Sequence, residues 1–214
     1  MDLLNLYKKC LSANYTTVEN GADYAVRQIG TRLYLFFEWS DSATDWKNNF
    51  NFPAKPYKDM GKLWFCHRGF LKVWKSIEPY IKDAIMRPTV KSVTIVGYSH
   101  GGAIAALCHE YVWFNRPDLR DKLEGYGFGA PRVFWGWYMC NELKERWANF
   151  HIIRNINDIV THMPPVIFGF RHVHNVIEIG EKGKFASQSV KIKSVNAHMA
   201  DNYIYSLEGK NNEQ

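Results

Sequence analysis

The chain has 214 residues, 46% of them hydrophobic, and carries a formal net charge of +6 at pH 7. This length and composition predict one globular domain over residues 1–214, large enough to bury a proper core. No apolar run approaches the ~20 residues that a membrane-spanning helix needs, and the mean hydropathy of -0.34 also argues against a membrane protein. The basic residues are dispersed and form no nucleic-acid-binding motif, so we expect no nucleic acid partner.

The N-terminus and the cysteines predict a cytoplasmic or intracellular location. The chain begins Met-Asp-Leu-Leu-Asn-Leu-Tyr-Lys-Lys-Cys, whereas a secretory signal peptide is basic first and apolar afterwards. The four cysteines are far apart and form no C-x-x-C or zinc-binding spacing, at Cys10, Cys66, Cys108 and Cys140. Such cysteines are expected to be free thiols in a reducing compartment. We predict no metal and no other cofactor.

Hydrophobic periodicity predicts alternating helices and strands. A helix over 2–11 precedes strands at 22–29 and 32–37, an irregular stretch at 47–61 and a short strand at 63–65. The remaining elements are a long helix with an apolar face from Phe70 to Ile85, a strand at 93–96, a helix at 103–109, a strand at 125–129, a helix at 134–147, strands at 150–156 and 173–179, a hairpin partner at 190–193 and a last helix at 198–207. This alternation predicts an α/β fold with a mainly parallel central sheet flanked by helices.

A serine lies between the β-branched strand at 93–96 and the helix that follows it. The residues Gly97-Tyr98-Ser99-His100-Gly101 form a G-x-S-x-G pattern in the strand–turn–helix setting of a nucleophile elbow. Gly97 and Gly101 leave the room that a tight, strained turn at Ser99 requires. The first helical turn also offers N–H groups to a negative charge that forms near Ser99. We therefore interpret Ser99 as a nucleophile; the alternative is a Gly-rich turn that only packs a helix on the sheet.

A serine nucleophile needs a base and an acid that orients the base. Asp158 directly follows the predicted strand at 150–156, where the loops of a parallel sheet gather functional groups; its alternative role is to cap a turn. Four downstream histidines are candidates for the base, at His162, His172, His174 and His198. Position favours His198, in a loop before the last helix. His172 and His174 are two residues apart, as on one face of a strand, and could be ordinary sheet residues. His162 is only four residues after Asp158, which favours a sequence neighbour over a catalytic partner.

Several stretches together resemble the class 3 (fungal-type) triacylglycerol lipase family of the α/β-hydrolase superfamily. They run in order from about residue 33 to 205, and they are Cys66-His67-Arg68-Gly69-Phe70, Gly97-Tyr98-Ser99-His100-Gly101-Gly102-Ala103, Gly127-Phe128-Gly129-Ala130-Pro131-Arg132-Val133, Asn155-Ile156-Asn157-Asp158-Ile159-Val160-Thr161-His162-Met163-Pro164-Pro165, and His198 with Tyr203. The resemblance implies that Ser99, Asp158 and His198 form a catalytic triad. It also implies an oxyanion hole made by Ser40 and the backbone N–H of His100.

The stretch around Ser40 departs from the family pattern. Glu38-Trp39 stands where the family has Arg-Gly, and Phe134-Trp135 replaces a usual Gly-Asn. Family members often carry a lid after the oxyanion loop, which here falls at 43–57. Its aromatic residues would contact acyl chains or simply pack the loop down, and they are Trp46, Phe50, Phe52 and Tyr57. The residues that we expect to bind substrate are Trp46, Phe50, Phe52 and Tyr98.

These features predict a lipase or carboxylesterase, either triacylglycerol lipase or phospholipase A1-like. It would cleave acyl esters of lipids through an acyl-enzyme on a Ser-Asp-His triad. The expected partners are a lipid or ester substrate and, transiently, a membrane or lipid-droplet surface. The alternative is a catalytically silent lipase-like scaffold that binds lipids or proteins. Such scaffolds usually lose a member of the triad, and here all three positions are filled.

Overall fold

The computed structural model describes residues 2–19, 22–38, 54–57, 65–136, 141–172, 175–181 and 195–212. Its helices are α1 (Leu3–Leu11), α2 (Arg68–Met86), α3 (His100–Asn115), α4 (Asn141–Arg146) and α5 (Ala200–Asn212). Its strands are β1 (Thr16–Thr17), β2 (Asp23–Ile29), β3 (Arg32–Glu38), β4 (Ala54–Pro56), β5 (Phe65–His67), β6 (Ser92–Tyr98), β7 (Leu123–Phe128), β8 (Phe134–Trp135), β9 (Phe150–Asn155), β10 (Phe170–Arg171) and β11 (Asn175–Ile179). Within these ranges, no helix combines the length and the apolar character that crossing a bilayer requires.

Seven strands form the central sheet in the order β1-β2-β3-β6-β7-β9-β11. From β3 to β11 every neighbouring pair is parallel, and β1 and β2 add an antiparallel edge. The strand β6 is central, and it is buried on both faces along Val93–Gly97, as its β-branched composition predicts. The predicted α/β-hydrolase fold, a mainly parallel sheet flanked by helices, is confirmed.

Helices cover both faces of this sheet. One hydrophobic cluster joins α2 and α3 to one face, with Trp74, Ile81 and Leu107 fully or almost fully buried. A second cluster joins α1 and α5 to the other face through Tyr7 and Tyr203. Burial of these large side chains removes most of their apolar surface from water, which fixes the helices against the sheet. The loops that join these strands and helices are therefore anchored at the sheet and at a packed helix.

A second sheet of four antiparallel strands has the order β10-β8-β5-β4. It corrects two predictions. Residues 134 and 135 form β8 and not the start of a helix over 134–147, because Phe134 and Trp135 pair with β5 and β10. Among the described residues of this region, the helix covers Asn141–Arg146. Residues 54–56, predicted to be irregular, form β4 by pairing with β5. The predicted strand at 190–193 lies outside the described residues.

The turn at the end of β6 depends on two glycines. A Cβ at Gly97 would lie 2.1 Å from the carbonyl oxygen of Gly101, and a Cβ at Gly101 would lie 2.1 Å from the carbonyl oxygen of Phe37. Real carbon–oxygen contacts are never so short, so backbone on β3 or at the start of α3 would have to shift. The two glycines thus allow β3, β6 and α3 to meet around residue 99.

We expect Gly101→Ala to lower the free energy of unfolding by about 3 kcal/mol, because it forces backbone apart inside a packed core. Gly209→Ala is the matched control. Gly209 lies in α5 with no atom within 4 Å of an added Cβ, so it should raise stability by up to about 1 kcal/mol through helix propensity. Urea unfolding of both variants measures the difference. Equal effects of the two substitutions would show that the elbow tolerates a side chain at residue 101.

Candidate active site

Ser99 occupies the turn between β6 and α3 with φ 56° and ψ -125°. Among the described residues it is the one non-glycine residue with positive φ, a conformation that costs about 1–3 kcal/mol and is typical of functional sites. Its backbone N–H donates to the Phe128 carbonyl oxygen at 2.8 Å, and its carbonyl oxygen accepts from Gly102 at 2.9 Å. These bonds tie the strained residue to β7 and to the first turn of α3.

A continuous chain of hydrogen bonds joins Ser99, His198 and Asp158. The Nε2 atom of His198 lies 2.8 Å from Ser99 Oγ, and its Nδ1 atom lies 2.7 Å from Asp158 Oδ2. A carboxylate only accepts, so Nδ1 carries the proton and Nε2 of the neutral ring accepts from the serine hydroxyl. This is the arrangement of nucleophile, base and orienting acid. It brings together the three residues that the sequence analysis selected, although they are far apart in the chain.

Asp158 is fully buried and each of its oxygens has its own donor. Oδ1 accepts from the Val160 backbone N–H at 2.8 Å, and Oδ2 accepts from the Tyr203 hydroxyl at 2.6 Å as well as from His198. Burial and the neighbouring Asp158 carboxylate hold the pKa of Tyr203 well above its usual value, so the phenol stays protonated and donates. The Tyr203 oxygen in turn accepts from Asn155 N–H at 3.1 Å. Asp158 thus caps a turn through one oxygen and orients His198 through the other.

The other histidine candidates make different contacts. His172 Nε2 lies 2.6 Å from the Thr161 carbonyl oxygen and therefore donates to it; burial lowers the His172 pKa to about 3, which keeps the ring neutral. His162 Nδ1 lies 3.3 Å from Arg132 Nη2. His174 lies outside the described residues. Of the histidines that the structure describes, His198 is the one bonded to Ser99 Oγ.

Tyr98 and His100 flank the serine. The ring of Tyr98 stacks on the imidazole of His198, with centroids 5.4 Å apart, and its hydroxyl donates to the His198 carbonyl oxygen at 2.5 Å. The observed ring contacts of Tyr98 include His198, Tyr7 and Tyr203, and its predicted contact with substrate stays a prediction. His100 begins α3, and its ring meets Phe70 edge-on at 5.1 Å between centroids.

The remaining predicted site residues, Ser40, Trp46, Phe50 and Phe52, lie outside the described residues. The end of β3 lies beside the elbow, because the backbone of Gly101 approaches Phe37 and Glu38. Within the part of the chain that the structure describes, no group of three or more His, Cys, Asp or Glu side chains is placed to hold a metal ion.

Sequence reasoning missed two polar contacts near the site. His67 Nδ1 accepts from the backbone N–H groups of Gly69 and Phe70, at 3.1 and 3.3 Å, and so caps the start of α2. The Tyr203 hydroxyl reaches Asp158. The stretch His67-Arg68-Gly69-Phe70 and the pair His198 and Tyr203 both belong to the motifs found in the sequence. The roles of His67 and Tyr203 could be assigned only once the helices were placed.

An elbow serine bonded to a His–Asp pair, at the carboxyl ends of parallel strands, defines the α/β-hydrolase class. Within that class, the chain belongs to the lipase (class 3) family, whose sequence model matches residues 34–168. The expected family is thereby confirmed.

Fungal lipases are among the proteins that this chain is similar to. The secreted mono- and diacylglycerol lipase 1 of Fusarium solani is 29% identical over 157 residues, which cover 71% of this chain and 45% of the relative. The lipase of Rhizomucor miehei is 28% identical over 146 residues, 65% of this chain and 39% of the relative. The chain thus spans less than half the length of these relatives.

Solved structures of fungal lipases share the fold. The propeptide complex of a Rhizomucor miehei lipase deletion mutant superposes with a TM-score of 0.68 at 22% identity, covering 85% of this chain and 68% of that one. Lipase II from Rhizopus niveus gives a TM-score of 0.63 at 24% identity, covering 78% of this chain and 64% of that one. At this level of identity the likeness concerns the fold alone.

The predicted cytoplasmic or intracellular location is wrong, because the Fusarium solani relative is a secreted protein. The cysteine argument for that location was weak in physical terms. The free cysteines that the structure describes, Cys10, Cys66 and Cys108, are all buried, and burial raises the pKa of Cys10 and of Cys66 to about 12. Shielded, protonated thiols resist oxidation in any compartment, so their presence does not report one.

Proposed function

We propose that the protein is a serine carboxylic-ester hydrolase that cleaves acyl esters of lipids. The observation that carries this proposal is the hydrogen-bond chain from Ser99 Oγ through His198 to Asp158, built on a strained elbow. A serine hydroxyl is a poor nucleophile at neutral pH, and this chain supplies the base that activates it. A turn that only packed a helix on the sheet would have no need of a strained serine bonded to a buried histidine.

The reaction proceeds in two halves. Ser99 Oγ attacks the ester carbonyl carbon while His198 Nε2 takes the hydroxyl proton, and the Asp158 carboxylate stabilises the imidazolium that forms. The tetrahedral intermediate collapses as His198 returns the proton to the departing alcohol, which leaves an acyl group on Ser99. Water, deprotonated by His198, then attacks the acyl-enzyme and releases the fatty acid. Water and side chains supply every reacting group, so the proposed mechanism calls for no cofactor.

The negative charge of the intermediate needs hydrogen-bond donors. We assign this role to the backbone N–H of His100, at the positive end of the α3 dipole, and to Ser40, on the segment after β3. The start of α3 supports the first assignment, because His100 directly follows Ser99 and opens the helix. Each such donor is typically worth about 3 kcal/mol of barrier lowering.

The proposed substrates are acylglycerols. The relatives named above are lipases, one of them a mono- and diacylglycerol lipase, and the family match covers the region that carries Ser99 and Asp158. We assign the acyl contacts to Trp46, Phe50, Phe52 and Tyr98. Transient contact with a lipid surface would deliver the substrate, and residues 1–214 would act as a single catalytic domain.

The test is hydrolysis of p-nitrophenyl esters from short to long acyl chains, combined with labelling by an alkyl fluorophosphonate. We expect turnover that increases from short to longer acyl chains, and one phosphonate adduct per chain, located on Ser99 by mass spectrometry. A heat-unfolded sample controls for unspecific labelling. If the folded protein showed no turnover and formed no adduct, the proposal would be overturned and a silent lipase-like scaffold would be favoured.

A further inference from the structure

A groove of about 610 Å³ lies between strand β4 and helix α2, outside the Ser99 site. Its walls carry four cationic side chains, and its floor is apolar. The cations are Lys55, Arg68, Lys72 and Lys75; the floor is Pro56, Tyr57 and Leu71. We call these seven residues the basic groove. No acidic side chain is among them.

The cations of the basic groove are poorly neutralised. Arg68 and Lys72 are four residues apart on α2, where like charges destabilise a helix. Lys75 forms an ion pair with Glu78 at 2.7 Å. Among the described residues, Lys55, Arg68 and Lys72 have no ion pair. Within the described residues, three positive charges around one depression therefore have no acidic partner.

Some cations elsewhere in the described residues do have acidic partners. Ion pairs within the described residues join Lys8 to Glu208, Arg32 to Glu124, Arg116 to Asp118, Arg146 to Glu110 and Glu142, and Arg154 to Glu178. What sets the basic groove apart is that its cations lie around one depression, where the described residues supply the ion pair of Lys75 with Glu78. Repulsion concentrated in this way is offset when an anion binds there.

The floor of the basic groove distinguishes one kind of anion from another. Tyr57 is fully buried and its hydroxyl donates to the Leu107 carbonyl oxygen of α3 at 3.5 Å. Lys75 Nζ lies 5.5 Å from the centre of the Tyr57 ring. A small free anion gains nothing from such an apolar surface. A lipid head group does, since its phosphate meets the cations while the adjoining glycerol and methylene groups contact Pro56 and the apolar stems of the lysines.

The position of the basic groove suits a lipid that is delivered to Ser99. The first turn of α2 carries both Arg68 and Phe70, and Phe70 packs against His100 beside the serine. The end of α2 that borders the basic groove is therefore the end that touches the elbow. A lipid surface held there lies next to the proposed catalytic site.

We propose that the basic groove binds the phosphate head groups of an anionic lipid surface. This deepens the proposed contact with a lipid surface by naming the residues and the lipid class. It assigns a docking role, separate from the chemistry at Ser99.

The test is co-sedimentation with vesicles, made in a Ser99→Ala background so that no lipid is hydrolysed. One set of vesicles is phosphatidylcholine alone, and the other contains an equal amount of phosphatidylglycerol. Arg68→Gln/Lys72→Gln is compared with Lys122→Gln/Lys144→Gln, which removes the same charge from exposed positions at the opposite end of the strands. Thermal unfolding checks that all variants are folded.

At about 1 kcal/mol per basic residue near an anionic surface, the groove variant should bind anionic vesicles roughly thirtyfold more weakly. The control variant should lose much less, and binding should fall as salt is added. An equal loss in both variants would overturn the proposal in favour of unspecific attraction by net charge.

A second arm separates a lipid surface from free phosphate. Inorganic phosphate is added to the vesicle-bound protein and compared with chloride at equal ionic strength. Equal release by both salts supports the lipid surface; greater release by phosphate would make the basic groove a free-phosphate site and overturn the proposal. Because binding is read without turnover, failure of the proposed ester hydrolysis would leave this result unchanged. Short soluble esters should be cleaved equally by the groove variant and by the unmodified protein.

Discussion

The variant Ser99→Ala is expected to lower kcat for p-nitrophenyl esters by about 10⁶-fold. Removal of the nucleophile from a serine triad removes the acyl-enzyme route altogether, and losses of about this size are usual for residues that act as one unit. The substitution changes one oxygen atom at a residue that is 5% exposed, so binding of substrate should change little. Initial rates per mole of folded protein give kcat, and fluorophosphonate titration measures the active fraction of the unmodified protein and any active contaminant in the variant.

The control is Ser92→Ala, at the opposite end of the same strand. It removes the same atom far from His198 and should leave kcat within a factor of about two, as surface changes of this kind usually do. Equal activity of Ser99→Ala and the unmodified protein would show that any hydrolysis arises elsewhere. In that case the hydrogen bond of 2.8 Å between Ser99 and His198 would be a structural contact within a silent scaffold.

The parts of the fold that the sequence predicts well are those whose pattern is local. The apolar run of β3, the apolar stripe of α2 and the β-branched run of β6 each predict an element without reference to a partner. The order of strands and helices then leaves few topologies, because parallel strands need crossover helices. The predicted sheet therefore agrees with the observed order of five parallel strands from β3 to β11.

The small sheet could not be predicted in this way. Phe134 and Trp135 sit in an aromatic stretch that is compatible with a helix, and their strand state depends on pairing with β5, about 70 residues earlier. The strand β4 has the same dependence, since the pairing of Ala54–Pro56 that the described residues show is with β5. Long-range pairing overrides local preference at such positions.

The residues of the active site likewise differ in whether local sequence or only the folded structure identifies them. Ser99 is marked by its own neighbours, since the glycines that make the elbow stand beside it. The choice of His198 over His172 depends on which ring reaches Ser99, and strand spacing carries no information about that distance. The resemblance to a family supplied what position alone left open. The bond from Tyr203 to Asp158 needed the placement of α5, and the basic groove needed the placement of β4 against α2.

Replacement of Asp158 by asparagine should lower kcat by about 10⁴-fold while KM changes little. The Val160 N–H needs an acceptor, so the amide oxygen that Asp158→Asn introduces should take the place of Oδ1, which bonds Val160 at 2.8 Å. The amide nitrogen then faces His198 Nδ1 and donates to it. The imidazole must shift its proton to Nε2, and the ring can no longer accept the proton of Ser99.

Asp201→Asn is the matched control, because Asp201 is an exposed acid in the first turn of α5, close in sequence to His198 and Tyr203. It should leave kcat unchanged within a factor of about two. The rate of fluorophosphonate labelling should fall with kcat in Asp158→Asn, since both depend on the activated hydroxyl. A loss of less than about tenfold would mean that Asp158 serves the fold through Oδ1 alone. The turn that it caps would then be its whole contribution, and the bond of 2.7 Å to His198 would not orient the base.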